Sequence, residues 1–359
     1  MSKRFRFLAT MLSIILVASL LASCAGQGQG QGAAGQAMDH INTASQIGGP
    51  QSNIDFVAQA QGFFEEEGIT IEMFDFPSAV AMAEALPAGV WDLNTAGVPG
   101  WVVGGLNSDL TIIALGPWDI DGLDLYVRPD SEIALAGRGH IPGFPDIYGT
   151  PDMWRGLEIL LPTGTNSHMI LVATLGAMGL TEDDVTIVNM DVASAYTAFR
   201  AGQGDMAGSW LTNSMFHRQA GHIVASSAGA LDLYIPIIVC VEPTLLRENP
   251  DLVTRYLRAW FRGAEFQQEN HVESAHIMEE WNNARGFATT FEAAYDLISP
   301  RITYSPARQL EMFRSGEVDE ILKYMLDFFI SIGRWEEGLW DDIGHLIDTS
   351  ILERLVYGD

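Results

Sequence analysis

Short apolar runs alternate with segments of helical periodicity in the first part of the chain. Apolar residues recur at helical spacing from Ile54 to Phe64, whereas ITIEMF (69–74) alternates apolar and polar residues, as a strand does. Ser78 is a potential N-cap of a further helix, which Pro87 ends. The other predicted elements are strands at 40–44, 92–96 and 110–116 and a helix at about 99–106. This alternation predicts a parallel sheet with helices on its faces, an α/β fold.

The alternation returns after a break. Residues 129–153 are rich in Gly and Pro and have no period, which predicts a loop or a lid. Strands are then predicted at 157–161, 185–190, 205–210 and 222–226, with helices between them. After the apolar run 231–241 the chain turns mainly helical, with a helix at 250–266 and a helix pair at 305–332. No internal repeat of fixed period is present.

Two α/β segments followed by a helical region fit a two-lobed molecule. We predict that residues 38–122 and 232–359 form one lobe and that residues 123–231 form the other. The chain would cross between them near Gly122 and near Ala230.

The N-terminus carries an export pattern. Lys3, Arg4 and Arg6 precede an apolar run of 16 residues, Phe7 to Ala22, which is shorter than a membrane span of ~20 residues. Small residues then lead to Cys24, a pattern that resembles the bacterial lipoprotein box, in which the cysteine is lipidated after cleavage. A plain secretory signal with a coincidental cysteine is the alternative.

The residues that follow suit an anchored protein. Residues 1–23 would be the signal peptide, and residues 24–37, rich in Gly and Gln, would be a flexible tether. Cys240 lies in an apolar run and is predicted to be a buried strand thiol. If Cys24 is acylated, Cys240 has no partner for a disulfide within the chain.

The charge narrows the range of partners. The 359 residues carry a formal net charge of −27, so nucleic acid is not an expected partner. His271 and His276 are five residues apart, which does not align them on one helix face, so no metal site is predicted. No cofactor is expected.

The loop LPTGTNSHMIL (161–171) is the main candidate for ligand contact. It joins a predicted strand to a helix, whose first turn offers free N–H groups and a partial positive charge. Small residues let a ligand approach the backbone, and the P-loop pattern is absent. The candidate contacts are Thr163, Thr165, Asn166, Ser167 and His168. His168 could instead pack between the helix and the sheet.

Other loops at strand ends supply further candidates, since ligands collect at such ends in open α/β sheets. Trp118 could stack on a ligand, and Asp119 and Asp121 could accept hydrogen bonds from an amine, unless the aspartates only cap or turn the chain. Two more turns follow predicted strands and contribute Gln51, Asn53, Gly97 and Val98.

Several segments together resemble a known family. NIDFVAQAQGFFEEEGITIEMFDF (53–76), ALPAGVWDLNTAG (85–97) and the block 155–210 are similar, in order, to segments of the nitrate/sulfonate/taurine-type substrate-binding proteins of ABC importers. The resemblance implies a two-lobed type II periplasmic-binding-protein fold with a ligand between the lobes. It also implies a cleft aromatic at Trp210, which could otherwise be a core residue. The length of 129–153 and the sequence after Trp210 depart from the family pattern.

The resemblance implies a non-enzymatic role. We expect a monomeric, lipid-anchored extracytoplasmic protein that delivers a small organic ligand, either sulfonate- or taurine-like or nitrogenous, to an ABC importer permease. Arg138 and His140 could reach the ligand from the 129–153 segment. The alternatives are an enzyme on the same fold, of pyrimidine-precursor or menaquinone-pathway type, and a binding lobe that reports to a membrane sensor.

Overall fold

Two five-stranded sheets form the framework of the computed structural model. The structure describes residues 38–46, 49–119, 122–233, 235–331 and 333–358. The predicted signal peptide 1–23, the predicted lipidation site Cys24, the predicted tether 24–37 and the candidate ligand contact Asp121 lie outside these residues.

The strands and helices agree closely with the hydrophobic pattern. The strands are β1 (Asp39–Gln46), β2 (Ile69–Phe76), β3 (Leu93–Gly97), β4 (Thr111–Asp119), β5 (Leu123–Val127), β6 (Glu158–Leu161), β7 (Thr186–Asn189), β8 (Met206–Trp210), β9 (Ile223–Ser227) and β10 (Ile235–Val241). The helices are α1 (Asn53–Ala60), α2 (Phe63–Glu66), α3 (Ala79–Ala85), α4 (Val98–Ser108), α5 (Glu132–Ala136), α6 (Pro151–Trp154), α7 (Asn166–Ala177), α8 (Val192–Arg200), α9 (Leu211–Gln219), α10 (Pro243–Glu248), α11 (Pro250–Glu269), α12 (His271–Ala284), α13 (Phe291–Ile298), α14 (Pro306–Ser315), α15 (Glu317–Ser331), α16 (Leu339–Ile343) and α17 (Ser350–Tyr357).

Both sheets are mixed, which corrects the prediction of a purely parallel sheet. The first sheet has the order β2-β1-β3-β10-β4 and the second the order β7-β6-β8-β5-β9. Strand β10 runs antiparallel to β3 and β4, and β5 runs antiparallel to β8 and β9. Each antiparallel strand is the one by which the chain enters a sheet from the other sheet, so it is not part of a β-α-β unit. The exact boundaries of the two lobes stay a prediction.

Alternation along the central strands gives the first sheet two buried faces. In β10, Ile238 and Cys240 join one core cluster and Val239 and Val241 join another. The first cluster includes residues of α3, α4 and α16, whereas the second includes residues of α1, α11 and α17. Because both faces are covered, β10 is buried along its whole length, and the thiol of Cys240 is a buried strand thiol, as predicted.

Local signals fix the ends of the early helices. The predicted helix Ile54–Phe64 is divided into α1 and α2 at Gly62, whose φ of 75° lies in the left-handed region. Ser78 is the predicted N-cap of α3, since its Oγ accepts a hydrogen bond from the N–H of Ala81 at 3.2 Å.

The segment 129–153 is a packed connector rather than a lid. It contains α5, and its residues Ile133, Ile141 and Ile147 are buried in the core. The N–H of Tyr148 donates to the carbonyl of Ala225 in β9 at 2.9 Å, so the connector is tied to the second sheet. Burial of three large apolar side chains opposes any opening of this segment.

The C-terminal helices connect the two sheets. Helix α15 belongs to the helical region after β10, and its Phe328 packs edge-on with the ring of His168 in α7, with ring centroids 6.4 Å apart. Across the described ranges, none of the helices is both long and apolar enough to cross a membrane.

Candidate functional site

A cavity lies where the ends of strands from both sheets meet. It has an empty volume of about 470 Å³, counting the part that is open to solvent, which is in the range of small-molecule sites. Its lining comes from both sheets and consists of Gln46, Gln51, Ser78, Ala79, Val80, Gly97, Pro99, Leu123, Thr165, Asn166, Trp210 and Ile237. Residues that follow parallel strands β1, β2, β3 and β6 are prominent among them, as expected for a ligand site in an open α/β fold. We call this space the cleft.

Gly97 and Asn166 lie close to each other across the cleft. Gly97 precedes α4, and Asn166 is the first residue of α7. A Cβ atom on Gly97 would lie 3.3 Å from Nδ2 of Asn166. The absence of a side chain at Gly97 therefore lets the amide of Asn166 reach the backbone of the opposite side.

The N-termini of two helices open on the cleft without side-chain caps. Neither Gly97 before α4 nor Thr165 before α7 makes a side-chain capping bond. The hydroxyl of Thr165 donates instead to the carbonyl of Pro162 at 2.7 Å, which holds the loop closed. The first-turn N–H groups of these two helices keep a partial positive charge toward the cleft.

Two amide oxygens of the cleft lack partners. Oε1 of Gln51 and Oδ1 of Asn166 are buried and accept no hydrogen bond from the described residues. The other end of the Gln51 amide donates to Oε1 of Gln46 at 3.3 Å. A buried unpaired polar atom is unfavourable by roughly 1–3 kcal/mol, so a molecule that donates to these oxygens would be stabilised there.

The described lining contains no charged side chain. Its polar groups are amides, hydroxyls and backbone N–H groups, and its apolar surface comes from residues such as Trp210, Leu123 and Ile237. Recognition of an anionic group here would therefore depend on neutral donors and helix N-termini, and not on an arginine or lysine.

Five of the predicted contacts come together in this cavity. They are Gln51, Gly97, Thr165, Asn166 and Trp210. Their role as ligand contacts stays a prediction, but they occupy one space, which is the geometric requirement for it.

Asn53 and Val98 lie next to the cleft but are core residues. The amide of Asn53 donates to Oε1 of Gln267 in α11 at 2.7 Å, which joins α1 to α11. Val98 is fully buried in the core cluster of α4. Each follows its lining neighbour by one or two residues, and helical geometry turns its side chain away from the cleft.

The side chain of His168 lies outside the cleft lining. Its side chain is buried, its Nδ1 accepts from the N–H of Gly164 at 3.0 Å, and its Nε2 lies 2.6 Å from Oε1 of Glu182. The imidazole thus braces the loop against the 182–184 turn and is not part of the cleft lining.

Thr163 and Ser167 are not part of the lining either. The N–H of Thr163 donates to Oδ1 of Asn189 at 3.0 Å, which ties this loop to β7. Ser167 is buried against β8, where a Cβ atom on Gly208 would lie only 2.4 Å from its Oγ.

The side chain of Trp118 lies outside the cleft. Its indole packs edge-on against Tyr304 with ring centroids 5.8 Å apart and lines a different cavity. The backbone of Asp119 pairs with Ile235 at the end of β4. Trp118 therefore does not line the cleft, and its predicted contact with a ligand stays a prediction.

Arg138 and His140 do not reach the cleft. The guanidinium of Arg138 pairs with Asp146 at 3.3 Å and lies over the ring of Tyr148. The His140 ring bonds to the carbonyl of Ala136 at 3.0 Å. Both side chains stay within the connector.

Some lining residues were not predicted. Gln46 is the last residue of β1 and lies two residues beyond the predicted end of the first strand. A correct prediction of the strand end would have included Gln46, because ligands collect at the ends of parallel strands. Leu123 and Ile237 lie on the antiparallel strands β5 and β10. They were not predicted because the expected ligand position is at the ends of parallel strands. The other unpredicted contacts, Ser78, Ala79, Val80 and Pro99, sit at the starts of helices α3 and α4.

Metal-ligating groups are not clustered in the part of the chain that the structure describes. No set of three or more His, Cys, Asp or Glu side chains there could hold a metal ion.

Two sheets with helices on their faces and a cleft between strand ends define the periplasmic-binding-protein fold. The NMT1/THI5-like family model matches residues 150–274, about a third of the chain. The resemblance to binding proteins of ABC importers seen in the sequence is thereby confirmed, and named relatives agree with it.

Two relatives carry binding-protein names. A protein of Brachyspira hyodysenteriae named as an ABC transporter periplasmic binding protein is 28% identical over 80% of this chain and 82% of its own length. A Bacillus subtilis protein named for aliphatic sulfonates is 25% identical over 75% of this chain and 77% of its own.

Solved structures share the fold. The alkanesulfonate-binding protein SsuA from Xanthomonas axonopodis pv. citri, bound to MOPS, has a TM-score of 0.68 at 15% identity and covers 88% of this chain and 99% of its own. The desulfurization enzyme DSZB has a TM-score of 0.60 at 13% identity, with 88% and 98% covered. Both binding proteins and an enzyme thus have this fold, so the fold alone does not tell whether this chain is a binding protein or an enzyme.

Proposed function

We propose that this chain is an extracytoplasmic solute-binding protein that captures a small organic ligand in the cleft and delivers it to the permease of an ABC importer. The observation that carries the proposal is the cleft itself. Polar groups from both sheets and two uncapped helix N-termini converge there on one space of ligand size.

The chemistry of the lining favours an organic anion such as a sulfonate or a taurine-like molecule. The N-termini of α4 and α7 suit an anionic head group, and Trp210 with Leu123 suits a short apolar body. The unpaired oxygens of Gln51 and Asn166 favour a ligand that also carries a donor, such as an amine. This keeps the nitrogenous class within the proposal.

The relatives support this ligand class. One relative is named for aliphatic sulfonates, and one protein of the same fold is an alkanesulfonate-binding protein bound to MOPS. We transfer to this chain only the class of molecule, an organic sulfonate or a compound of similar charge and size.

An enzymatic role is less well supported. The desulfurization enzyme of the same fold keeps this alternative open. In this chain, however, the described cleft lining has no cysteine, histidine, aspartate or glutamate that could act as a nucleophile or general base. Cys240 lies in β10, and burial raises the pKa of its thiol far above the usual range, which opposes a thiolate.

A ligand panel tests the binding role. We expect the melting temperature of the purified protein to rise by several degrees with butanesulfonate, MOPS or taurine, and not with nitrate. No turnover of the stabilising compound should be detected by mass spectrometry. A panel without any stabilising compound, or formation of product, would contradict the proposal.

Membrane anchoring through Cys24 is a separate proposal. The signal pattern supports it, and the residue can be tested directly. We expect wild-type protein in the membrane fraction with a mass increase from acylation, and Cys24→Ser protein outside it. Equal membrane association of both proteins would contradict lipidation, and the binding role would be unaffected.

A further inference from the structure

A second cavity lies beside the connection between the sheets, apart from the cleft. Its empty volume is about 980 Å³, counting the part that is open to solvent. It is lined by Trp118, Leu233, Tyr304, Met312, Glu317, Glu320, Ile321 and Tyr324. None of these residues lines the cleft. We call this space the aromatic cavity.

One stripe of α15 forms a wall of the aromatic cavity. Glu317, Glu320, Ile321 and Tyr324 follow the spacing i, i+3, i+4 and i+7, which places them on one helix face. The opposite face enters the core through residues such as Leu322. Tyr324 is 55% exposed although its neighbours on the other face are buried. This stripe is therefore a surface that the fold itself does not cover.

The aromatic wall opposite is held rigidly. Trp118 is only 8% exposed and packs edge-on against Tyr304. The fully buried amide of Gln309 donates to the carbonyls of Leu115 at 2.8 Å and Tyr304 at 2.9 Å, which fixes the backbone of both sides. A wall that is already ordered loses little conformational entropy when a ligand binds.

The charges of the cavity have one sign. Its described lining contains two carboxylates and no lysine or arginine. The carboxylate of Glu317 forms a salt bridge with the guanidinium of Arg308 at 3.0 Å, whereas Glu320 forms no salt bridge with the described residues. The indole Nε1–H of Trp118 is buried and has no hydrogen-bond partner there. The wall thus keeps a net negative charge and one unused donor.

We propose that the aromatic cavity binds a small organic cation of the quaternary or alkylated ammonium class, with the rings of Trp118, Tyr304 and Tyr324 around the cation and Glu320 as its counter-charge. Aromatic faces attract such cations through their quadrupole, and a carboxylate adds a Coulomb attraction. The unused indole donor suits a ligand that also carries an oxygen, such as choline. Glu320 and Tyr324 belong to α15, whereas Trp118 lies in β4 and Tyr304 precedes α14, so the arrangement is not a plain acidic helix face.

Choline and its neutral isostere provide the test. We expect titration calorimetry to detect saturable binding of choline, and much weaker binding of 3,3-dimethyl-1-butanol, which has the same shape without the charge. Tyr324→Leu and Glu320→Gln should each weaken choline binding about 2- to 30-fold, the range expected for loss of one cation–π contact or one partly exposed counter-charge.

Controls separate this site from the cleft. Tyr324 and Glu320 are both exposed, so their variants should fold, which circular dichroism checks. Stabilisation by butanesulfonate should be unchanged in both variants, and Trp210→Ala should leave choline binding intact. Absent choline binding, equal binding of the neutral isostere, or loss of choline binding in Trp210→Ala alone would overturn the proposal. Each of these outcomes would leave the role of the cleft untouched.

Discussion

At the scale of single residues, His168 illustrates how a side chain at a ligand-facing helix can support the loop without touching the ligand. Its two ring nitrogens are both engaged, with the N–H of Gly164 and with Glu182. We expect His168→Ala to lower the free energy of unfolding by about 1–3 kcal/mol, because the buried N–H of Gly164 and the part-buried carboxylate of Glu182 lose their partner. Ligand affinity, measured by calorimetry on the folded variant, should change little.

The matched control is His140→Ala, which removes an exposed histidine of the connector. It should change the unfolding free energy by less than about 0.5 kcal/mol in urea denaturation. If His168→Ala lost much of its ligand affinity at unchanged stability, His168 would be a ligand contact and this expectation would be contradicted.

Asp55 sets a pH dependence of stability. Burial raises its pKa from 3.8 to about 7, although the hydroxyl of Tyr256 donates a hydrogen bond to it. Because the folded state favours the protonated acid, this stabilising effect is complete below pH ~4 and is lost as the pH rises through about 7. The full change is at most about 4 kcal/mol.

The variant Asp55→Asn removes this titration. We expect the wild type to lose unfolding free energy between pH 5 and pH 8 relative to Asp55→Asn, as measured by urea denaturation at both values. Asp183→Asn, at an exposed position, serves as the control and should follow the wild type. Parallel curves for wild type and Asp55→Asn would show that Asp55 is not a buried acid.

At the scale of elements, the start of α4 controls the width of the cleft. Gly97 has ordinary extended backbone angles, so alanine is tolerated there without backbone strain. Its new Cβ would nevertheless contact Nδ2 of Asn166 at 3.3 Å. We expect Gly97→Ala to weaken ligand binding severalfold in calorimetry while the melting temperature without ligand changes little.

Gly176→Ala is the helix control for that experiment. Gly176 lies exposed in α7, and a Cβ atom there meets nothing within 4 Å. It should raise stability by up to about 1 kcal/mol and leave affinity unchanged. Equal affinities of Gly97→Ala and wild type would indicate that the two helix starts do not meet around the ligand.

The elements also show what the sequence could predict. Periodicity located most helices and strands, including α11 and the pair α14 and α15, because their apolar faces are buried on one side. Strand β5 (LDLYV) was not predicted, since Asp124 interrupts its short apolar run. The direction of β10 was missed because a continuous apolar run gives no sign of its direction.

The site was predicted only in part. Thr165 and Asn166 were found because a helix start after a parallel strand is a general ligand position. The sequence did not reveal that Trp118 and His168 lie outside the cleft lining, because one residue of register decides on which side of an element a side chain lies. That choice depends on tertiary packing against Tyr304 and Glu182, which are distant in the sequence.

At the scale of the whole molecule, a cleft lies between the two sheets, and the C-terminal helices connect these sheets. The cleft lining has no charged residue among those described, so the overall negative charge of the chain does not act on the ligand through a direct contact there. The central claim is that an organic anion is held by neutral donors at the starts of α4 and α7.

Titration calorimetry of wild type, Asn166→Asp and Asn107→Asp with the panel compound that stabilises most tests this claim directly. Asn166→Asp places a negative charge at the start of α7, whereas Asn107→Asp places the same charge at the exposed far end of α4. The account predicts at least a tenfold loss of affinity, about 1.4 kcal/mol, for Asn166→Asp and no loss for Asn107→Asp. Equal affinities of Asn166→Asp and wild type, or tighter binding by Asn166→Asp, would contradict it.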